Sequence, residues 1–184
     1  EVLIPDPGYP AYKDTALMVG AKPVFYNLIA KNNFKIDVAE IAKKITAKTK
    51  LLWLNFPSNP TGQVADLKDL KPIVALALKH KIIIAYDNAY SEIAFNNFRA
   101  PSILEIEHAK EIVIELGSFS KTFSFAGFRM GWAVGNPEII SALAKVKSQM
   151  DSGLSTPLQQ LGAFALNNFD KNWFDKALKI YNDR

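Results

Sequence analysis

Short runs of apolar, β-branched residues alternate along this chain with stretches whose apolar residues recur at helical spacing. Several of the short runs are apolar throughout, which is typical of strands that helices cover on both faces of a parallel sheet. The alternation therefore predicts an α/β fold with a mostly parallel sheet and helices on both faces. The predicted strands are residues 2–4, 23–28, 50–56, 82–87, 112–117 and 130–135.

Helix signals lie between these runs. Asp37 and Glu40 have the spacing of a capping box at the start of a helix. Pro72 is expected in the first turn of the next helix, which runs to about His80. Asn136 is predicted to cap a helix with a buried stripe. A longer helix is predicted from about Thr156, weakened near its middle by Asn167 and Asn168. The predicted stripe consists of Ile139, Leu143, Val146 and Met150.

Composition narrows the class of protein. With 184 residues and 49% hydrophobic content, the chain can bury one substantial core. Its net charge of +4 comes from lysines that form no long block, which favours a small anionic ligand over nucleic acid. The chain has no cysteine and two histidines, which argues against a metal centre and a serine-histidine triad. We expect no metal.

The sequence also bears on location. The absence of cysteine fits the reducing cytoplasm, and no apolar run is long enough to predict a membrane span or a secretion signal. We therefore expect a cytoplasmic protein without membrane contact. The chain opens without methionine at Glu1 and closes within a helical pattern, so we expect a piece of a longer polypeptide.

Polar residues follow three of the predicted strands. In doubly wound sheets, ligands bind outside the carboxyl ends of the strands. Strand 50–56 leads into PSNPTG, strand 82–87 ends in Asp87 and is followed by NAY, and strand 112–117 leads into SFSK. We expect one edge of the sheet to carry Asn59, Asp87, Tyr90, Ser118, Ser120 and Lys121.

Lys121 lies in the most informative stretch, SFSKTFSFAGFRMGW, residues 118–132. An amine that acts as a nucleophile must be neutral near pH 7, and apolar surroundings favour the neutral form. Phe119, Phe123 and Phe125 are expected to enclose Lys121 and provide these surroundings. The alternative is a lysine whose stem covers apolar surface while its charge stays in water.

Pyridoxal phosphate needs a lysine for its aldehyde, a carboxylate for its ring nitrogen, donors for its phenolic oxygen and a phosphate site. Asp87 suits the ring nitrogen, and the alternative is a helix cap. Tyr90 and Asn59 suit the phenolic oxygen; a core tyrosine and a generic turn are their alternatives.

The phosphate and the flat ring need further partners. Ser118, Ser120 and Arg129 supply two hydroxyls and a planar cation that suit a phosphate dianion, unless Arg129 forms an ordinary ion pair. Tyr9, in DPGYPAY, can stack on a flat ring or pack on its own neighbours.

In their order along the chain, NPTG at 59–62, DNAY at 87–90, and SFSK followed by Arg129 resemble the class I and II aminotransferases of the pyridoxal-phosphate fold-type I family. The resemblance runs the length of the chain. It implies that Lys121 forms the internal imine, that Asp87 binds the pyridine nitrogen, and that Asn59 and Tyr90 bind the phenolic oxygen. It also implies that Tyr9 stacks on the ring and that the phosphate is held by Ser118 and Arg129, with help from Ser120.

The resemblance further implies that residues 1–155 are part of a large cofactor-binding domain and that residues 156–184 lead toward a small domain. The family's phosphate-binding loop and its carboxylate-gripping arginine do not occur within 1–184. DPGYPAY, YDNAYSEI and MDSG are most similar to the diaminopimelate aminotransferase branch.

The expected activity is transfer of an amino group between an L-amino acid and a 2-oxo acid, by a homodimer. Three alternatives remain at this point. They are a carbon-sulfur lyase on the same fold, a ligand-sensing domain of a transcription regulator, and an α/β domain without a cofactor.

Overall fold

The computed structural model describes residues 1–96 and 98–184. Within this part of the chain, six strands form one sheet in the order β2-β1-β3-β4-β5-β6. Every neighbouring pair is parallel except β5 and β6, which are antiparallel. The predicted mostly parallel sheet is confirmed, and its strand bounds agree with the prediction to within two residues. The strands are β1 (Val2–Asp6), β2 (Pro23–Asn27), β3 (Leu51–Asn55), β4 (Ile83–Asp87), β5 (Val113–Ser118) and β6 (Gly131–Gly135).

Helices cover both faces of this sheet, as predicted. In β1, Leu3 belongs to the main core with residues of α2 and α3, whereas Val2 and Ile4 pack on the other face with α1. Among the described residues, no helix is long and apolar enough to cross a membrane. The helices of this part of the chain are α1 (Pro10–Met18), α2 (Val38–Lys44), α3 (Leu67–His80), α4 (Phe119–Thr122), α5 (Pro137–Met150), α6 (Thr156–Asn167) and α7 (Lys171–Asp183).

The main core holds the central strands in place. Leu54 of β3 and Ile84 of β4 are fully buried in the same cluster as Leu70 and Ile73 of α3. Burial of each such aliphatic side chain stabilises the fold by about 1.5–3 kcal/mol. The carboxyl ends of β3 and β4 are therefore fixed by packing beneath them.

The predicted capping box of α2 is half right. The Asp37 carboxylate accepts from the backbone N–H groups of Ala39 and Glu40, as expected of the cap. The Glu40 carboxylate does not complete the box, because it accepts from the Asn27 side chain at 3.3 Å instead.

The predicted start of α3 is wrong. Asp66 and Asp69 form a complete capping box, so the helix begins at Leu67 and Pro72 lies inside it. A proline inside a helix removes one backbone hydrogen bond, but the cap and the buried face of α3 outweigh that loss.

The predicted burial of the apolar stripe on α5 is also wrong. Asn136 caps this helix as expected. However, Leu143, Val146 and Met150 are 40%, 59% and 80% exposed. All three side chains are exposed within the part of the chain that the structure describes, and we call them the α5 stripe.

The predicted long helix from Thr156 is two helices. α6 ends at Asn167, and the side chain of Asn168 donates to the Phe164 carbonyl at 2.9 Å. Asp170 then caps α7 by accepting from two backbone N–H groups. Asparagine side chains compete for helix carbonyls in this way, so the asparagine pair ends the helix rather than weakening it.

Candidate active site

A cavity of about 290 Å³ lies at the carboxyl ends of the parallel strands. This volume is close to the lower end of the range for small-molecule sites. The structure brings all eight residues predicted from the sequence to its lining, together with Tyr12, Asn55 and Ala89. The eight are Tyr9, Asn59, Asp87, Tyr90, Ser118, Ser120, Lys121 and Arg129.

Strand register explains why these residues meet. Asn55 at the end of β3 pairs with Asp87 at the end of β4, and β5 lies beside β4 with its own end at the same edge. Because β6 runs antiparallel to β5, Ser118 pairs with Gly131. The chain therefore returns to this edge just before β6, which places Arg129 in the cavity.

The expected surroundings of Lys121 are wrong. Its side chain is exposed, and its amine lies 5.2 Å from the centroid of the Tyr90 ring. Phe119, Phe123 and Phe125 form a separate apolar cluster with residues that include Met130. Residues 119 and 123 lie on one side of a helical turn and residue 121 on the other, so the phenylalanines cannot enclose the lysine.

The Asp87 carboxylate is held by two donors. Its Oδ1 accepts from the Ala89 backbone N–H at 3.2 Å, and its Oδ2 accepts from the Tyr12 hydroxyl at 2.5 Å. A carboxylate offers about four acceptor positions, so it can still accept from a ring N–H in the cavity. The bond to Ala89 caps a turn rather than a helix.

Tyr12 is a site residue that the sequence interpretation missed. Its ring is buried and stacks on the Trp53 indole, with centroids 4.4 Å apart. Burial, followed by the negative charge of Asp87 and the hydrogen bond to it, raises the pKa of the Tyr12 hydroxyl. Tyr12 is therefore a fixed donor to Asp87. The available signal was its position three residues after Tyr9, with Pro10 between them as a residue suited to the first position of a helix.

Asn55 is the second missed residue. Its buried side chain donates to the Asp87 carbonyl at 2.9 Å and accepts from the Asn59 backbone N–H at 2.7 Å. Asn55 thereby fixes the segment that presents Asn59. The available signal for Asn55 was a lone polar residue at the end of the apolar run LLWLN. The same feature, a polar residue at the end of a strand, identified Asp87.

The residues predicted for phosphate lie on adjoining segments. Ser118 Oγ accepts from the Ser120 backbone N–H at 3.1 Å, which leaves its O–H available as a donor. The Arg129 guanidinium donates to the Ala126 carbonyl at 2.8 Å and uses one of its five N–H groups for that bond.

The two predicted aromatic residues lie on different walls. The Tyr9 ring is 47% exposed and meets Tyr12 edge to face at 5.7 Å. Tyr9 thus packs on a neighbour and still presents surface to the cavity. The Tyr90 ring lies beside the Lys121 amine.

This donor set fits the cofactor that the sequence predicts. An amine, a partly buried carboxylate with acceptor capacity, amide and phenol donors, and a cationic hydroxyl-bearing corner line one space. Each chemical group of pyridoxal phosphate has a counterpart among them.

Comparisons with known proteins show similarity over the whole chain. The family model described as aminotransferase class I and II matches residues 1–184. An LL-diaminopimelate aminotransferase of Halothermothrix orenii is 41% identical over 182 residues, which is 99% of this chain and 46% of that protein. One from Aquifex aeolicus is 40% identical over 183 residues, which is 100% of this chain and 47% of that protein.

The fold is also similar to that of a solved structure. Apo-BacF from Bacillus subtilis superposes with a TM-score of 0.92 at 37% identity, over 99% of this chain and 48% of that one. The chain spans about half the length of the curated relatives it matches.

Proposed function

This chain belongs to the class I and II aminotransferases, and from that premise we propose that the intact protein transfers an amino group between an amino acid and a 2-oxo acid. Members of this family use pyridoxal phosphate. The observation that carries the proposal is the convergence of the eight predicted residues on one cavity at the end of the sheet.

When bound, pyridoxal phosphate supplies an electrophilic aldehyde carbon and a ring that accepts an electron pair. Lys121 is the group that anchors the aldehyde. Its free amine would serve as the general base toward the proton on the substrate α carbon, and the ammonium group that results would then serve as the general acid. The amine lies against the Tyr90 ring, in the same cavity as Asp87.

Asp87 keeps the ring nitrogen protonated, and Tyr12 holds Asp87 in place. Because Tyr12 donates to Oδ2 and Ala89 to Oδ1, the carboxylate is fixed before a ligand enters. A fixed charge needs no rearrangement as the reaction proceeds, which is the main source of electrostatic catalysis.

Ser118, Ser120 and Arg129 hold the phosphate, Asn59 and Tyr90 donate to the phenolic oxygen, and Tyr9 stacks on the ring. Arg129 contributes permanent charge and a planar set of donors that suit phosphate oxygens. These assignments rest on the family resemblance and on the position of each residue in the cavity.

The amino donor belongs, by this proposal, to the diaminopimelate class. Its support is the identity of about 40% to proteins that are named LL-diaminopimelate aminotransferases. The proposal includes a cytoplasmic homodimer in which residues 1–155 contribute to the large domain and residues 156–184 lead toward the small one.

The test uses the intact protein, pyridoxal phosphate and visible absorbance. Wild type should show a cofactor band that Lys121→Ala abolishes, while Lys110→Ala, an exposed lysine elsewhere, keeps it. Amino transfer from LL-diaminopimelate to a 2-oxo acid should fall with the band. A wild-type protein without a Lys121-dependent band contradicts the proposal, and ammonia release without a 2-oxo acid indicates a lyase instead.

A further inference from the structure

A second buried carboxylate lies outside the cavity, in the middle of β5. Glu115 is 3% exposed, and its Oε1 accepts from the Asn88 side-chain amide at 3.0 Å. Its Oε2 accepts from the Ser102 hydroxyl at 2.6 Å and from the Ile103 backbone N–H at 3.1 Å. A buried carboxylate is tolerated only when donors of this kind satisfy it.

These contacts join two segments that line the cavity. Glu115 lies on β5, whose end leads to Ser118 and Lys121. Asn88 directly follows Asp87 and begins the turn that carries Tyr90, in which the Ser91 backbone N–H donates to the Asn88 carbonyl. One carboxylate therefore links the strand that leads to Lys121 with the turn that directly follows Asp87.

Asn88 is fixed on several sides. Its side-chain amide donates to both Glu115 and the Pro101 carbonyl, the latter at 3.3 Å, and its backbone N–H donates to Leu116 at 2.9 Å. Its Oδ1 is buried without a partner among the described residues. Rotating this amide by half a turn would bring its oxygen against the carboxylate of Glu115, so the carboxylate determines the orientation of the amide.

We propose that Glu115 is a positioning residue, which acts through Asn88 to hold Asp87 and Tyr90 in the orientation that the cofactor requires. This inference rests on the proposed function. A shift of Asn88 moves the residues on either side of it in the chain, Asp87 and Ala89. It therefore also moves the Ala89 N–H that donates to Asp87 Oδ1. Supporting partners of this kind are what keep a binding side chain in its productive geometry.

The test compares Asn88→Ala and Glu115→Gln with Ser102→Ala in the intact protein. Ser102→Ala removes one hydrogen bond to the same carboxylate and leaves the contact with Asn88 in place. Three quantities are measured for each variant: the affinity for pyridoxal phosphate, the pH midpoint of the bound cofactor's visible absorbance, and the thermal unfolding midpoint without cofactor.

We expect Asn88→Ala to weaken pyridoxal phosphate binding by about tenfold, a loss typical of removing a supporting partner. It should also shift the pH midpoint, because the ring nitrogen loses a correctly placed carboxylate. Ser102→Ala should lower the unfolding midpoint and leave affinity and pH midpoint unchanged. Glu115→Gln should resemble Asn88→Ala; if it does not fold, Asn88→Ala decides alone.

The inference is overturned if Asn88→Ala leaves both affinity and pH midpoint unchanged. It is also overturned if Ser102→Ala changes both as much as Asn88→Ala does, since the role would then be structural. A wild-type protein without a Lys121-dependent band contradicts the proposed function itself, which is a separate outcome.

Discussion

The hydroxyl of Tyr12 determines how the Asp87 carboxylate can act. Burial raises the pKa of this hydroxyl, and the adjacent Asp87 charge and hydrogen bond raise it further. Tyr12 therefore keeps its proton at pH values where a free phenol would lose it, and remains a donor to Asp87. The Asp87 carboxylate is therefore held in a fixed position at the cavity.

Replacing Tyr12 with phenylalanine should remove this donor without disturbing the stacking on Trp53. At pH 7 we expect a loss of about 1.5–3 kcal/mol in the free energy of unfolding, the usual contribution of a hydrogen bond to a charged group. Urea unfolding of both proteins at a series of pH values measures this loss.

The pH series gives a second readout. A raised pKa in the folded state stabilises the protein below the ordinary tyrosine value of 10.0, and this contribution is lost as the pH rises above it. The gap between wild type and Tyr12→Phe should be constant from pH 7 to pH 10.0 and shrink above it. A gap that stays constant above that pH would show that the Tyr12 proton is not retained by folding.

Most of the site residues could be predicted from the sequence, because the carboxyl ends of parallel strands meet at one edge of the sheet. Asp87 and Ser118 followed directly from that rule. Tyr12 was missed because it reaches Asp87 across 75 residues of chain, a contact that no local pattern reports. The predicted surroundings of Lys121 were wrong because the three phenylalanines that are close to it in sequence lie on a different side of α4.

The pairing of β5 with β6 places Arg129 at the cavity. A Cβ on Gly117 of β5 would overlap the indole of Trp132 on β6, so the two strands meet through a position that only glycine fits. This close approach allows Ser118 and Gly131 to pair.

Gly117→Ala should therefore destabilise the protein by about 1–3 kcal/mol, the usual cost of overpacking. It should also weaken pyridoxal phosphate binding, because the segment with Arg129 is displaced. Gly127→Ala is the matched control, since a Cβ there meets no heavy atom within 4 Å. Thermal unfolding and cofactor titration check both variants, and equal behaviour of the two would show that the contact with Trp132 does not position this segment.

Strand bounds were predictable because each short apolar run is bordered by polar residues or turns. Helix bounds were harder to predict from the sequence than strand bounds. The start of α3 was missed because Pro72 is a strong start signal, while the complete capping box of Asp66 and Asp69 begins six residues upstream. Capping hydrogen bonds, rather than the proline, determine where this helix begins.

At the level of the whole molecule, the main feature is the exposed apolar surface of the α5 stripe. Helical periodicity shows that one face of α5 is apolar, but it cannot show what covers that face. Here Val146 and Met150 are mostly exposed, and Trp132 and Val134 on β6 are 37% and 45% exposed. Exposed apolar side chains of this kind mark interaction surfaces. We expect the stripe to be covered in the intact protein, which in the relatives is about twice as long.

Val146→Lys should lower the stability of the intact protein by roughly 1.5–3 kcal/mol, the value of burying one valine. Ser148→Lys, on the opposite side of the same helix, should have little effect. Thermal unfolding at two protein concentrations distinguishes the two possible covers. A concentration-dependent loss indicates a second copy, and a concentration-independent loss indicates the same polypeptide. An unchanged midpoint for Val146→Lys would show that the stripe stays exposed.

The central claim is that the Lys121 amine, in the same cavity as Asp87, is the group to which the cofactor aldehyde attaches. The most direct measurement is borohydride reduction of the intact protein with pyridoxal phosphate, followed by peptide mass spectrometry. We predict a single stable pyridoxyl label on Lys121 that disappears in Lys121→Ala. A label spread over surface lysines, or one that Lys121→Ala retains, would contradict the account.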